Sequence, residues 1–285
     1  MDVNILTLNS PGYPQVLADI HSPPSQIYWA GAEPYGWLDK PKVAIVGSRK
    51  ASPYGRAVTA KLATQLSEAG VVIISGLAYG IDVYAHQAAL AVGGVTVAVL
   101  GTSLDQIYPA AHVHIAQQIT QNGTLISEYG SEAIGFKSNF IARNRIVSGL
   151  ADVLLITEAA VNSGSLHTAR FALEQGKTVM AVPGNINSLT SEGCNNLIKS
   201  GALPVTSADD IFFALGLDPQ NKHQRVIQGT EDEQLVFNFI KDGVCAQEDL
   251  ASASRLEGPV LASTLTMLEI SGHIRPAGSG NWVVS

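Results

Sequence analysis

Cysteine is scarce in this 285-residue sequence: Cys194 and Cys245 stand far apart with no CxxC spacing, so neither a disulfide framework nor a cysteine zinc site is expected. Charge is sparse too. Asp, Glu, Lys and Arg make up 14% of the residues against 46% hydrophobic ones, with a mean hydropathy of +0.18, which excludes widespread disorder. Long apolar runs are missing: the longest, 71–78, is interrupted by Ser75 and Gly76, far short of the roughly 20 residues of a membrane helix. The opening Met1-Asp-Val-Asn-Ile-Leu6 has no basic and no apolar leader region, so a cytoplasmic location is expected and export is not. Walker, GxSxG and first-strand GxGxxG patterns are lacking, and His112 and His114 do not fit zinc spacing. No catalytic residue, metal or cofactor is therefore expected.

What is present suits one large α/β domain with a small appended module. The net charge of −7 argues, taken alone, against nucleic-acid binding, but it is unevenly spread. Residues 1–208 hold 12 basic and 13 acidic residues, and residues 209–285 hold 5 and 11. Residues 40–61 carry Lys40, Lys42, Arg49, Lys50, Arg56 and Lys61 without one acid, and residues 133–151 carry Lys137, Arg143 and Arg145, again without one. Two basic islands thus sit in a nearly neutral domain.

Six of the 13 prolines fall within the first 41 residues, together with Tyr13, Tyr28, Trp29, Tyr35 and Trp37. This predicts an extended arm over 1–42 whose aromatics pack on the body. From 43 to 215, short apolar runs at 43–46, 71–74, 96–100, 124–126, 153–156 and 178–182 alternate with helical segments, the pattern of a Rossmann-like, doubly wound parallel sheet covered on both faces. Ser52 with Pro53 predicts a helix start and Gly70 its end. Residues 216–230 lose apolar periodicity and read as a linker. Residues 231–285 read as three short helices and a ribbon, a winged-helix-like module.

Three loops on one sheet edge could bind anions. Gly47-Ser48-Arg49 leads from the first parallel strand into the Ser52-capped helix, where free N–H groups and an arginine fork suit a phosphate; a plain strand-to-helix turn with a solvated arginine is the alternative. Residues 75–82 repeat the logic after the second strand and run into a helix with His86, which reads as a packed histidine. Ser163-Gly164-Ser165 opens a later helix, as caps or as phosphate ligands. Lys137, Phe140, Arg143, Asn144 and Arg145 combine cations, an amide and a ring within nine residues, the mix single-stranded nucleic acid requires. Alternatively, Phe140 is core and the two arginines pair with Glu128 or Glu158. A nucleotide-processing enzyme of the phosphoribohydrolase type is the competing reading of the same loops, although Glu158 precedes rather than follows its loop.

The series VAIVGSR (43–49), SGLAYGID (75–82) with Ala85-His86, VAVLGTSLDQIYP (97–109), ISEYG (126–130), FIARNRIVSGL (140–150), EAAVNSGSLHTARFALEQGK (158–177) and AVPG (181–184) resembles the DNA-processing family called DprA or Smf. The resemblance runs in order through the whole central region. It implies a non-enzymatic homodimer that binds single-stranded DNA and loads the RecA recombinase onto it in natural transformation. It also implies a DNA pocket at Gly47, Ser48, Arg49, Lys137, Phe140, Arg143, Asn144 and Arg145, with Ser163, Gly164, Ser165 and the distal Lys199 as further contacts. The apolar edge around Ile198 and 211–215 is the expected dimer face. Departures are a helical N-terminal domain expected to be absent, Lys177 where Gly-Arg is usual, His167 after Ser-Leu, and a C-terminal module whose helix near 258–271 has no Lys or Arg. That last departure implies protein contact or regulation rather than duplex reading.

Overall fold

The computed structural model describes residues 2–133, 136–217, 229–241, 243–278 and 280–284. The chain forms two compact units, Met1–Pro219 and Gln220–Ser285; most of the expected linker, residues 218–228, lies outside the described residues.

In the first unit, strands β3 (Lys42–Val46), β4 (Val72–Ser75), β5 (Thr96–Leu100), β6 (Thr124–Ser127) and β7 (Val153–Ile156) are buried at every residue. Continuous burial is why they read as unbroken apolar runs rather than alternating ones. With β8 (Thr178–Ala181) and β9 (Leu203–Pro204) they form parallel pairs in the order β6-β5-β4-β3-β7-β8-β9. Helices cover both faces. Leu62, Ala63 and Leu66 of α3 (Pro53–Glu68) and Ile81, Ala85 and Ala89 of α4 (Ile81–Ala91) pack against Val43 and Ile45. On the opposite face, Ile146, Val147 and Leu150 of α6 (Lys137–Leu150) and Ala169 and Ala172 of α7 (Ser165–Glu174) pack against Ala44 and Val46. The strand order reverses direction between β3 and β7, so their carboxyl ends open a crevice of the kind in which doubly wound sheets bind ligands.

The first 42 residues are not an extended arm. Strands β1 (Asn4–Thr7) and β2 (Gln26–Gly31) add antiparallel to the sheet, β2 on β6 and β1 on β2. Periodicity concealed this because each strand is stabilised by a partner distant in sequence. The aromatics nonetheless pack on the body: Trp37 is buried and its Nε1 donates to Thr124 Oγ1 at 2.9 Å, and Tyr13 donates to Pro24 O at 2.7 Å. Tyr35 stays exposed.

The second unit holds α10 (Glu231–Lys241), α11 (Gln247–Ser254), α12 (Gly258–Ile270) and the ribbon β10 (Ile274–Gly278) with β11 (Asn281–Val284). Its core is its own, built on Val236, Phe237, Leu250, Leu261, Leu265 and Ile274. The outer side of α12 shows Val260, Met267 and Ile270 to solvent.

His86 is the packed histidine its sequence context suggested. It is fully buried on α4, and its Nδ1 lies 2.7 Å from Thr96 Oγ1. Thr96 Oγ1 gives its own proton to Ile73 O, so Nδ1 carries the ring proton. Burial first, then Arg143 and His112, push the imidazole down to about 3 from 6.5. In the unfolded chain the ring protonates near 6.5 while the native ring stays neutral, so this contribution is complete above pH 6.5 and is lost as pH falls towards 3. Urea unfolding at pH 7 and pH 5 should show the wild type losing about 1–2 kcal/mol more than His86→Asn; parallel losses in the two proteins would refute this assignment.

Candidate nucleic-acid interface

The candidate site lies at the carboxyl ends of β3, β4 and β5, where three loops approach closely. Ser48 N donates to Glu158 O at 2.7 Å, and Ile81 N donates to Ser48 O at 3.1 Å. A Cβ on Gly47 would stand 2.7 Å from Glu158 O, and one on Gly80, whose φ is +78°, would stand 2.1 Å from Ser48 O. Both positions therefore need glycine, for proximity and, at Gly80, for the left-handed backbone. Ser52 caps α3 by accepting from Gly55 N at 3.1 Å, and its own N–H and hydroxyl donate to the two oxygens of Glu158 at 2.8 and 2.6 Å.

Arg143 organises the floor. The residue is 4% exposed; its guanidinium donates to Gly76 O at 2.6 Å and to Val99 O, and Nε donates to Asn144 Oδ1 at 3.3 Å. Asp82, also buried, accepts from Gly76 N and Ala78 N. Burial raises the Asp82 carboxyl while Arg143 and those N–H groups oppose the rise. Burial likewise draws the Arg143 guanidinium down to about 10, with Asp82 opposing and Arg49 adding to the fall.

Above this floor lies a small slot lined by Arg49, Ala78, Tyr79, Tyr108 and Phe140. The half-buried Phe140 packs over Gly101, its ring tilted against Tyr108 at 5.3 Å. The exposed Arg49 holds its guanidinium 6.0 Å from the Phe140 ring centre, within cation–π range. Tyr79 and Tyr108 are 49% and 54% exposed, so two further ring surfaces face the slot. These tyrosines were missed in the sequence reading. Their signal was present: each lies in a loop following a parallel strand, beside a glycine or proline that turns the chain.

The structure thus brings Gly47, Ser48, Arg49, Phe140 and Arg143 together, with Asn144 bonded to Arg143 and the exposed Lys137 opening α6. Other expected contacts lie elsewhere. Arg145 is held by a two-pronged ion pair with Glu128, at 2.6 and 2.9 Å, and donates to Ser22 O, so it fastens α6 to the first residues. Ser163 and Ser165 bond each other through their hydroxyls at 2.7 Å at the start of α7, and with Gly164 they are outside the slot. Lys199 ends α8 (Glu192–Lys199). Because β9 runs parallel to β8, α8 must carry the chain back to the amino ends of the strands, which sets Lys199 at the opposite edge. Within the expected dimer face at Ile198 and 211–215, Ile211 and Phe212 are core, whereas Phe213 of α9 (Ala208–Ala214) is 84% exposed. Among the described residues, no cluster of three or more His, Cys, Asp or Glu could hold a metal, and no helix is long and apolar enough to cross a membrane.

A doubly wound, mostly parallel sheet with glycine turns at its carboxyl edge and an exposed arginine over an aromatic slot defines an open-sheet α/β protein. The family described as DNA recombination-mediator protein A matches residues 4–216, and the chain belongs to that family. It is 39% identical over 239 residues to Protein Smf of Synechocystis sp., covering 81% of this chain and 59% of that protein. It is 43% identical over 200 residues to DNA processing protein DprA of Streptococcus pneumoniae, 70% of each. The crystal structure of the Streptococcus pneumoniae protein superposes with a TM-score of 0.70 at 41% identity, covering 74% of this chain and 73% of that one. The DNA processing protein A of Helicobacter pylori, whose single-stranded DNA binding mode has been described structurally, gives 0.66 at 36% identity, covering 74% and 95%.

Removing Arg143 would leave the buried Asp82 without its nearby cation and take a donor from the carbonyls of Gly76 and Val99. Arg143→Ala should destabilise the fold by about 3–5 kcal/mol, whereas Arg49→Ala, on the surface, should stay within about 0.5 kcal/mol of wild type. Urea denaturation compares the two, and equal effects would show that Arg143 does not support the floor.

Proposed function

We propose that the protein binds single-stranded DNA without sequence preference and delivers it to the RecA recombinase in transformation and recombination, performing no chemistry of its own. The observation that carries the reading is the Arg49 guanidinium over Phe140 beside the exposed rings of Tyr79 and Tyr108. Stacking on rings tolerates any base, and cations alongside follow the phosphates. Lys137, the Gly47 to Arg49 turn and the start of α7 at Ser163 to Ser165 supply further backbone contacts. The Helicobacter pylori relative, similar over 95% of its chain, supports the choice of single strands, and family membership supports delivery to RecA. The second unit, whose α12 presents apolar rather than basic side chains, takes a protein-contact role.

Fluorescence anisotropy with labelled oligo-dT tests the pocket. If three to four phosphates are neutralised, log K should fall against log salt with a slope of about −2 to −3. Arg49→Ala should weaken binding by about 1–3 kcal/mol, and Phe140→Ala by a similar amount through lost stacking. Salt-independent affinity, or affinity untouched by both substitutions, would sink the proposal.

Self-association is part of the same proposal. Leu203 on the terminal strand β9 and Phe213 of α9 are both exposed apolar side chains, which supports a homodimer that buries them. Light scattering should find a dimer in wild type and a monomer in Phe213→Asp; an unchanged mass would move the interface elsewhere.

A further inference from the structure

The first basic island has members that the slot does not use. Lys50 and Arg56 are exposed, neither lines the slot, and residues 49–67 contain no acid. Two segments of chain lead from the slot towards Arg56. Arg49 lines the slot and its chain continues through Lys50 into α3; Tyr79 lines it too, and its chain continues through Gly80 into α4. The segments are held side by side, Ile81 N donating to Ser48 O at 3.1 Å, while Lys50 N donates to Ser48 Oγ at 3.1 Å. Because β3 and β4 are parallel, both helices start at the same carboxyl edge.

One turn further on, the two segments meet again. Arg56 and Tyr84 are each the fourth residue of their helix, and Arg56 N donates to Ser52 O as Tyr84 N does to Gly80 O. The Arg56 guanidinium lies 5.8 Å from the Tyr84 ring centre, and its Nη1 donates to the Tyr84 hydroxyl at 3.4 Å. A helical turn rises about 5.4 Å, so this pair repeats, about one turn beyond the loops, the guanidinium-on-ring arrangement of Arg49 and Phe140.

The fork at Arg56 has capacity to spare. A guanidinium carries five donors, and Tyr84 takes one of them. Among the described residues Arg56 forms no ion pair, and the one acid of α4, Asp82, is buried. No exposed carboxylate at the start of either helix therefore competes for the remaining donors. The half-buried Tyr84 restrains the planar fork, which lowers the entropy lost when it closes on a phosphate.

We propose that a strand seated in the slot continues over the first turns of α3 and α4, its phosphates meeting Lys50 and Arg56 while Tyr84 holds the Arg56 guanidinium in place. This course rests on the single-stranded DNA reading of the slot, since it is the slot's strand that reaches Arg56.

Anisotropy titrations of the full chain with oligo-dT of about four and about twenty nucleotides, each at several salt concentrations, test it. Arg56→Ala should weaken the long oligomer about tenfold and make its slope of log K against log salt shallower by about 0.7, the share of one single-strand phosphate contact. The short oligomer should bind as to wild type. Arg56→Lys should restore the slope, and Tyr84→Ala should weaken the long oligomer about two- to fivefold with the slope kept. Where the short oligomer binds too weakly to titrate, its competition against the labelled long one gives the same comparison. An unchanged affinity and slope for the long oligomer in Arg56→Ala overturns the proposal, as does an equal loss with the short one, which would place Arg56 inside the slot. Arg49→Ala reports separately on the slot: it should weaken both oligomers, and if it weakens neither, the slot reading fails whatever Arg56 does.

Discussion

Burying a guanidinium obliges the surrounding chain to supply acceptors, because the group keeps its charge and carries five donors. At Arg143 those acceptors are the carbonyls of Gly76 and Val99, with the Asp82 carboxylate as the nearby opposite charge. The consequence is geometric. Helix α6 is fastened to the carboxyl ends of β4 and β5, and Phe140, one turn before Arg143, is set over Gly101 beside Tyr108. Asp82 in turn holds the N–H groups of Gly76 and Ala78, which shapes the loop that carries Tyr79. The aromatic slot is therefore assembled around the buried Arg143 guanidinium and the carbonyls it holds.

The basic residues divide their labour by depth. Lys42 donates to the carbonyls of Leu38 and Lys40 and pairs with Asp152, Arg145 pairs with Glu128, and Arg143 serves the floor; these three hold the fold together. Arg49, Lys50 and Lys137 are exposed and remain available to a polyanion. A net charge of −7 is no obstacle, since a ligand meets the local field of exposed cations rather than the average of the chain.

Much of the fold was legible because parallel strands buried on both faces leave unbroken apolar runs, and because Ser52-Pro53 and Gly70 punctuate α3 as expected. β1, β2 and β9 were not legible. β2 is stabilised by β6, almost a hundred residues away, and β9 is two residues long, so neither shows a period of its own. In the candidate site, Arg49 and Phe140 were visible as residue types in a suitable pattern. Tyr79 and Tyr108 were overlooked because their motifs were read for glycine and backbone N–H groups rather than for rings.

By itself the sequence determined the class of sheet, the glycine turns at its carboxyl edge and the two clusters of cations, since these follow from local chemistry: burial pattern, backbone freedom and charge. Only the tertiary structure decided which arginine is buried, which is tied to Glu128 and which faces solvent, and that Lys199 stands at the far edge. The reason is that burial and ion pairing are set by residues distant in the chain. Arg143 meets Gly76 across 67 positions, and no local pattern records that meeting.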